Sequence, residues 1–273
     1  MFKFILVVTA MFLLTGCTND EPIQAEPTEV ANQSLPVSTY FAMREGLDDQ
    51  RWQNFIIISV NSDDIVTSIS LNSISQLANN SRRNVAQLDG FEDLFEYDFH
   101  EQAYHLESTL VGTSRQELVA ALLTSAASES VDFDIAEFAY LADIALAAAP
   151  IERGAYVDGI YRYINQIAGE QFNYFVYLFV INGRIQAVHF NAFNPDDTLK
   201  YDAFSGTTVD PELIAWRYQA ELFEAFLLEA QDPLVITFCE DGYTTDIPGF
   251  HIKVTPFIQL ATEALSQNPI TNQ

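Results

Sequence analysis

Thr245 to Lys253, TDIPGFHIK, is the stretch whose residue types come nearest to a binding chemistry. Gly249 stands a few residues ahead of Thr255-Pro256, a pair that opens a helix, because proline suits the first turn. A glycine loop before a helix N-terminus presents backbone N–H groups to a phosphate, and Lys253 adds a positive charge there. Thr245 adds a hydroxyl and His251 an imidazole. The remaining histidines point to less. His100 and His105 lie among Glu92, Asp93, Glu96, Asp98 and Glu101, at spacings that match no strong metal-ligand motif, and read as a solvated face. His189 lies among apolar neighbours and reads as a satisfied structural histidine. The chain has no G-x-S-x-G, no zinc motif and no Walker-type loop, so no catalytic residue and no metal site is assigned.

These residues must be positioned by the elements around them, and the clearest is Gln171 to Tyr201. It reads as strand, turn, strand. Phe175, Tyr177 and Phe179 fall on one face, and Tyr174, Val176, Leu178 and Val180 on the other. Asn182-Gly183 is a strong hairpin signal, since both turn positions need positive φ. In the second strand Ile185, Ala187 and His189 alternate against Val188 and Phe190. The hairpin has an earlier counterpart: Trp52-Gln-Asn-Phe55 through Val60 to Ile65 lines up with Phe172-Asn-Tyr-Phe175 through Val180 to Ile185. Phe138-Ala-Tyr-Leu141-Ala142 matches Phe257-Ile-Gln-Leu260-Ala261 at nearly the same offset. Two matched anchors in one order indicate a duplicated domain, residues 37–150 and 151–268.

Within copy one, Asn72 to Gln87 is polar and reads as an exposed loop. Ser114-Arg-Gln-Glu117 forms a capping box for a helix through Leu123, and Asp134-Ile-Ala-Glu137 opens another to about Ala148. Within copy two, Tyr156 to Tyr163 is strand-like and Lys200 to Val209 a loop. Asp210-Pro211-Glu212 starts a helix to about Ala230, with Leu213, Trp216, Ala220, Phe223 and Leu227 on one face. Leu234 to Cys239 reads as a further strand, with Cys239 a small buried residue. Thr255 begins the last helix, with Phe257, Leu260, Ala261 and Leu265 inward. Each copy is thus hairpin, loop, helix, strand, loop, helix. The fold class is α+β: two tandem copies of a small antiparallel-sheet domain with helices packed on it.

The chain opens Met1-Phe-Lys3 and continues in an apolar run from Phe4 to Leu14, as an export signal does. Leu14-Thr15-Gly16-Cys17 resembles the bacterial lipobox. The resemblance implies a signal peptide over residues 1–16 and lipid attached at Cys17, palmitate among the acyl chains, with several chains giving stable anchorage. Thr18 in place of aspartate implies the outer membrane, on its periplasmic face. Residues 17–36, rich in Pro, Glu, Gln, Thr and Asn, read as a disordered tether. The formal net charge of −26 argues against nucleic acid and anionic membrane surfaces as partners. With Cys17 lipidated, Cys239 has no partner in the chain and no disulfide framework is expected.

Tyr156-Val-Asp-Gly159-Ile-Tyr161, Val180-Ile-Asn-Gly183-Arg-Ile185, Asp196-Asp-Thr-Leu-Lys200 and Leu260-Ala-Thr-Glu-Ala-Leu265 together resemble the FMN-binding-domain lipoproteins. These are exported, often tandem proteins that carry flavin for electron transfer. Their distinguishing loop, Asp-x-x-Ser-Gly-Ala-Thr, esterifies its threonine to the FMN phosphate. Here the matching segment is Asp246-Ile-Pro248-Gly249-Phe250-His251. Gly249 keeps the glycine position, Pro248 replaces the serine, and His251 replaces the acceptor threonine. Histidine has no hydroxyl. Thr244, Thr245 and Thr255 lie nearby without keeping the spacing, and copy one lacks the loop. The resemblance therefore implies an inherited scaffold acting as a binding or interaction module without covalent flavin and with no expected cofactor. The alternative is an electron carrier holding FMN non-covalently or through a displaced threonine, with Gly249, His251, Lys253 and Thr245 near the phosphate.

Overall fold

A computed structural model describes residues 37–270, apart from 47, 49–51, 76–80, 84–98, 130, 132, 166–170, 195, 197–198 and 201–210. In chain order it contains β1 (Val37–Met43), β2 (Trp52–Asn61), β3 (Val66–Ser75), α1 (Phe99–Leu110), α2 (Leu118–Glu129) and α3 (Ile135–Ala147). The second half contributes β4 (Gly159–Asn165), β5 (Asn173–Ile181), β6 (Arg184–Phe193), α4 (Pro211–Ala230), a 3₁₀ turn (Pro233–Val235) and α5 (Thr255–Leu265). Each half is an antiparallel sheet with a hairpin at its heart, ordered β1-β2-β3 and β4-β5-β6, and helices cover one face of each sheet. The α+β expectation holds.

The other faces of the sheets pack on one another, so the layers run helices, sheet, sheet, helices. Phe55 and Ile74 from the first sheet meet Ile160, Phe175, Tyr177 and Phe179 from the second. The Phe55 and Phe179 rings are 5.1 Å apart, edge to face, and Tyr177 Oη donates to Gln53 Oε1 at 2.7 Å. Period-two alternation then sends the neighbours outward: Val176, Leu178 and Val180 lie under α4 and α5, as Ile56 and Ile58 lie under the first-half helices. Burial on both faces explains why β5 reads as an unbroken apolar run. Each fully buried Phe or Ile contributes roughly 1.5–3 kcal/mol.

The hairpins repeat in detail. Both carry a register shift at the equivalent place, Ser59/Val60 and Phe179/Val180. The second shift puts Ile185 on the helix face with Val188 and Phe190. That corrects its expected grouping with Ala187 and His189, since one extra residue reverses a strand's alternation. Asn182 and Gly183 take φ of 52° and 75°, as the turn demands.

The outer strands β3 and β6 would leave buried backbone groups unpaired, and both halves solve this alike. At Leu71 the N–H donates to Glu107 Oε1, while Arg83 Nε donates to the Leu71 carbonyl at 3.1 Å and the same guanidinium pairs with Glu107. At Phe190, the equivalent position, the N–H donates to Glu224 Oε1 at 2.6 Å. Arg217 Nη1 donates to the Phe190 carbonyl at 2.9 Å and the guanidinium grips Glu224 at 2.7 and 2.6 Å. Nearer the tips, Gln231 exchanges two bonds with Ile185, where Gly112 and Thr113 backbone serves Val66. A carboxylate and a guanidinium stand in for a missing strand. Arg83 precedes α1, whereas Arg217 lies on α4 itself, so the repeat keeps the device and changes its source.

Several expectations need correction. Leu234 to Cys239 is not a strand: Asp232 caps a 3₁₀ turn by accepting from Leu234 N–H, and the Asp246 carboxylate takes Thr237 N–H and Oγ1 at 2.7 Å. Local side-chain bonds outcompete pairing there. Cys239 is exposed, in a turn closed by Gly242 N–H to its carbonyl. Asn72 to Gln87 is no exposed loop where it is described. Asn72, Ser73, Ile74, Ser81 and Arg83 are buried, because their polar groups pair inside the protein. The helix expected from Ser114 begins at Leu118 and reaches Glu129, and Ser114 Oγ donates to the Glu117 carboxylate instead of capping. The α3 start is as expected, with Asp134 accepting from Glu137 N–H. Glu137 does not fold back on the cap but reaches Arg44 and Asn54, both at 2.8 Å. Strand β1 was not anticipated. The leader, Cys17, the tether, the acids Glu92 to Asp98 and Ser205 to Asp210 lie outside the described residues.

Candidate functional site: an aromatic pocket between α4, α5 and the second sheet

The second sheet ends, away from its hairpin turn, in Asn165, Tyr174 and Asn191. Above them stand Trp216 from the N-terminal part of α4 and Pro256 and Phe257 from the first turn of α5. Between these elements lies a cavity of about 300 Å³, whose other walls are Phe190, Ile252, Lys253 and Leu260. Its rings are mutually braced: Trp216 stacks on Phe257 at 6.4 Å, Phe257 meets Phe190 at 5.2 Å, and Tyr174 meets Trp216 at 6.0 Å. The strand carrying Phe190 is fixed from behind by Arg217 and Glu224. The wall is therefore rigid and mostly apolar, with a few polar groups at its edge, as small-molecule sites usually are.

Lys200 packs on two of the lining rings. Its backbone N–H donates to the Ala192 carbonyl at 2.7 Å. Its ammonium lies over Tyr174, Trp216 and Phe172, at 4.8, 4.7 and 5.5 Å from the ring centres, and donates to Tyr174 Oη at 2.8 Å. Cation–π contacts of this kind hold a lysine where the ring faces are negative. The chain has three lysines, Lys3, Lys200 and Lys253. Lys253 lines the cavity, and Lys200 lies against two of its rings without lining it.

The residues singled out in the sequence divide between two neighbouring places. Lys253 lines the cavity. Gly249 and His251 line a shallower groove with Tyr218 and Gln219, on the far side of Ile252 and Trp216, which belong to both. Gln219 ties that loop down, its Nε2 donating to the Gly249 carbonyl at 3.1 Å and its Oε1 accepting from His251 N–H. Gly249 has φ of 80°, which favours glycine. Thr245 is exposed and lines neither place. Sequence reasoning missed Tyr174, Asn191 and Lys200, and it read Trp216 as core. The scarcity of lysine was the available signal.

The place that the resemblance gives to the acceptor threonine is taken by another residue, and of the nearby threonines Thr245 is exposed. His251 has no hydroxyl. Thr244 Oγ1 is committed to the Thr237 carbonyl at 2.7 Å and to Asp246 N–H at 3.0 Å, and Thr255 Oγ1 packs against Gly242. Among the described residues no three His, Cys, Asp or Glu side chains gather as metal ligands do. On α1, His100 is half-buried and His105 exposed.

His189 sits behind the pocket, between the rings of Phe175 and Tyr177, with Nδ1 3.9 Å from Glu224 Oε1. Burial, with the charge of Arg217, pushes its pKa down to about 3. A folded pKa below the unfolded one favours the neutral ring. Its contribution is complete above about pH 6.5 and is lost as pH falls toward the folded value. Acidification to about pH 5 is expected to remove about 2 kcal/mol through this residue. Urea titrations of the wild type and His189→Gln across that range check it: the difference between the two should shrink as pH falls.

The fold and the cavity define a duplicated α+β protein with a rigid aromatic pocket in its second half. No protein-family model matches the chain, and no curated protein matches it. Among solved structures, the chain is similar to a Clostridium thermocellum protein determined by solution NMR. The identity is 30% over 42% of this chain and 96% of that one, with a TM-score of 0.33.

Proposed function

We propose that this chain is an exported, lipid-anchored binding module whose pocket takes a small anionic ligand with a flat, apolar body. It carries no covalent flavin. The placement of the lysines supports this reading most directly. In a chain of net charge −26, Lys253 lines the aromatic cavity and Lys200 lies over two of its rings. Long-range repulsion of anions by such a surface is overcome only where local cations gather. Lys253 receives the charged group at the rim, and Trp216, Phe257 and Tyr174 take the flat body. The anchor is Cys17, the location the periplasmic face of the outer membrane, and nucleic acid is not a partner. The scaffold resembles FMN-binding-domain lipoproteins that have lost the acceptor hydroxyl.

The test is a titration followed by Trp216 fluorescence in a Trp52→Phe background, with aromatic carboxylates and FMN as probes. Saturable quenching is expected. Lys253→Gln, followed by the same quenching, and Trp216→Ala, followed by titration calorimetry because it removes the fluorophore, should each weaken binding by about tenfold. A response indifferent to both substitutions would sink the pocket reading. A second reading, FMN held non-covalently, is favoured by the same flat rings beside a lysine. It predicts a yellow protein that loses its colour on denaturation. Colour surviving denaturation would overturn the loss of covalent flavin.

A further inference from the structure

The second half has two distinct ends. Strand β4 runs from Gly159 to Asn165, and α4 passes from Trp216, at the pocket, to Ala230, just before Gln231, which bonds Ile185 beside the hairpin turn. The pocket thus occupies one end and the Asn182-Gly183 turn the other. The described chain enters at that second end. Val37 is two residues from Thr39, whose carbonyl accepts from Ile151 N–H at 2.8 Å. The Ile151 carbonyl in turn accepts from Asn182 Nδ2 at 2.7 Å. Tyr156 continues the path, its N–H donating to the Gly183 carbonyl and its hydroxyl to the Gln231 carbonyl. Along it stand large apolar side chains in the open: Val37 is 50% exposed, Val157 67%, Leu234 66% and Val235 56%. Arg153 and Arg184 lie among them. Of the acids nearby, Asp158 accepts from Gly183 N–H, Asp232 from Leu234 N–H, and Glu152 from Arg184, while Asp63 and Asp64, in the turn after Val37's strand partner Asn61, are exposed.

We propose that this end rests on the bilayer that holds the anchor. Val37, Val157, Leu234 and Val235 sit in the lipid interface, the arginines lie at the phosphates, and the pocket turns away from the membrane. The proposal rests on the lipid-anchor reading of Cys17. The chain that follows Cys17 joins the described fold at this end, and not at the pocket. Exposed apolar side chains there gain from interfacial burial what they cannot gain in water.

The experiment uses the full acylated chain in phosphatidylcholine vesicles containing a nitroxide-bearing lipid. In a Cys239→Ser background, Leu234→Cys at one end or Tyr218→Cys at the other carries an environment-sensitive fluorophore. Both positions are exposed, and circular dichroism checks the fold. The label at 234 is expected to lose about half its emission while that at 218 is unaffected. Equal emission at both positions, in a chain whose mass shows acylated Cys17, overturns the orientation and leaves the anchor standing. Shielding of position 234 without vesicles, with a doubled molecular mass in detergent, overturns it in favour of self-association. A mass without acyl groups overturns the anchor, and the proposal with it.

Discussion

Arg217→Met is expected to lower the stability of the fold by about 3–5 kcal/mol, because it leaves a buried carboxylate without its counter-charge. Glu224 is buried between α4 and β6 and holds the Phe190 N–H. Burial already raises its carboxyl above the ordinary value, and the Arg217 fork is the main force opposing that rise. Without the fork the carboxyl rises further and the Phe190 carbonyl loses its donor. A raised folded pKa means the defect is greatest where the carboxylate must be ionised, near neutrality, and eases as pH falls. Urea unfolding at neutral and mildly acidic pH reads both effects. The double variant Arg217→Met with Glu224→Leu should be less damaging than the single change, since no charge is then stranded. A double variant as unstable as the sum of its parts would show that the two residues act independently.

Gly154→Ala is expected to cost about 3 kcal/mol for a different reason. A Cβ at this position would stand 2.0 Å from the Gly183 carbonyl oxygen and 2.4 Å from its carbon. The obstacle is backbone, and Gly183 cannot retreat because the Asn182-Gly183 turn fixes it. The linker between the halves must lift instead. That sacrifices the bonds from Gly154 N–H to Asn182, from Tyr156 N–H to Gly183 and from Asn182 Nδ2 to Ile151. Each is worth about 1 kcal/mol. For a chain of this size the midpoint of thermal unfolding should fall by roughly 6–12 °C. Gly112→Ala is the comparison. There φ is 93° but no atom lies within 4 Å of the added carbon, so only backbone strain of about 1 kcal/mol applies. Equal effects at the two glycines would refute the steric account.

The strands of the second hairpin and the repeat that relates it to the first were legible because both rest on local rules. Alternation fixes which face of β5 each ring occupies, and Asn182-Gly183 fixes the turn. The ends of α3, α4 and α5 were legible for the same reason, through Asp134, Pro211 and Pro256. What escaped depends on partners distant in sequence. Asn72, Ser73 and Arg83 look like loop residues until Glu107 and Asn54 arrive to satisfy them. Leu234 to Cys239 has the composition of a strand, but Asp232 and Asp246 bind its backbone first. Gly249, His251 and Lys253 precede α5 in one short segment, but Lys253 lines the cavity while Gly249 and His251 line the neighbouring groove. The cavity itself, however, is made by Tyr174, Asn191 and Trp216, which meet only when the sheet and two helices close.

The face-to-face packing of the sheets has a consequence for ancestry. A chain of half this length, with Phe55, Ile57 and Ser59 or their counterparts Phe175, Tyr177 and Phe179 turned inward, would leave that face wet. It could fold only by joining an identical copy about a two-fold axis, where every inner residue must complement itself. Fusion abolishes that requirement. The small Ser59 in one half now corresponds to the ring of Phe179 in the other, and Phe179 fills space against Phe41 and Phe55. Such lopsidedness is open to a fused pair and closed to a symmetric one.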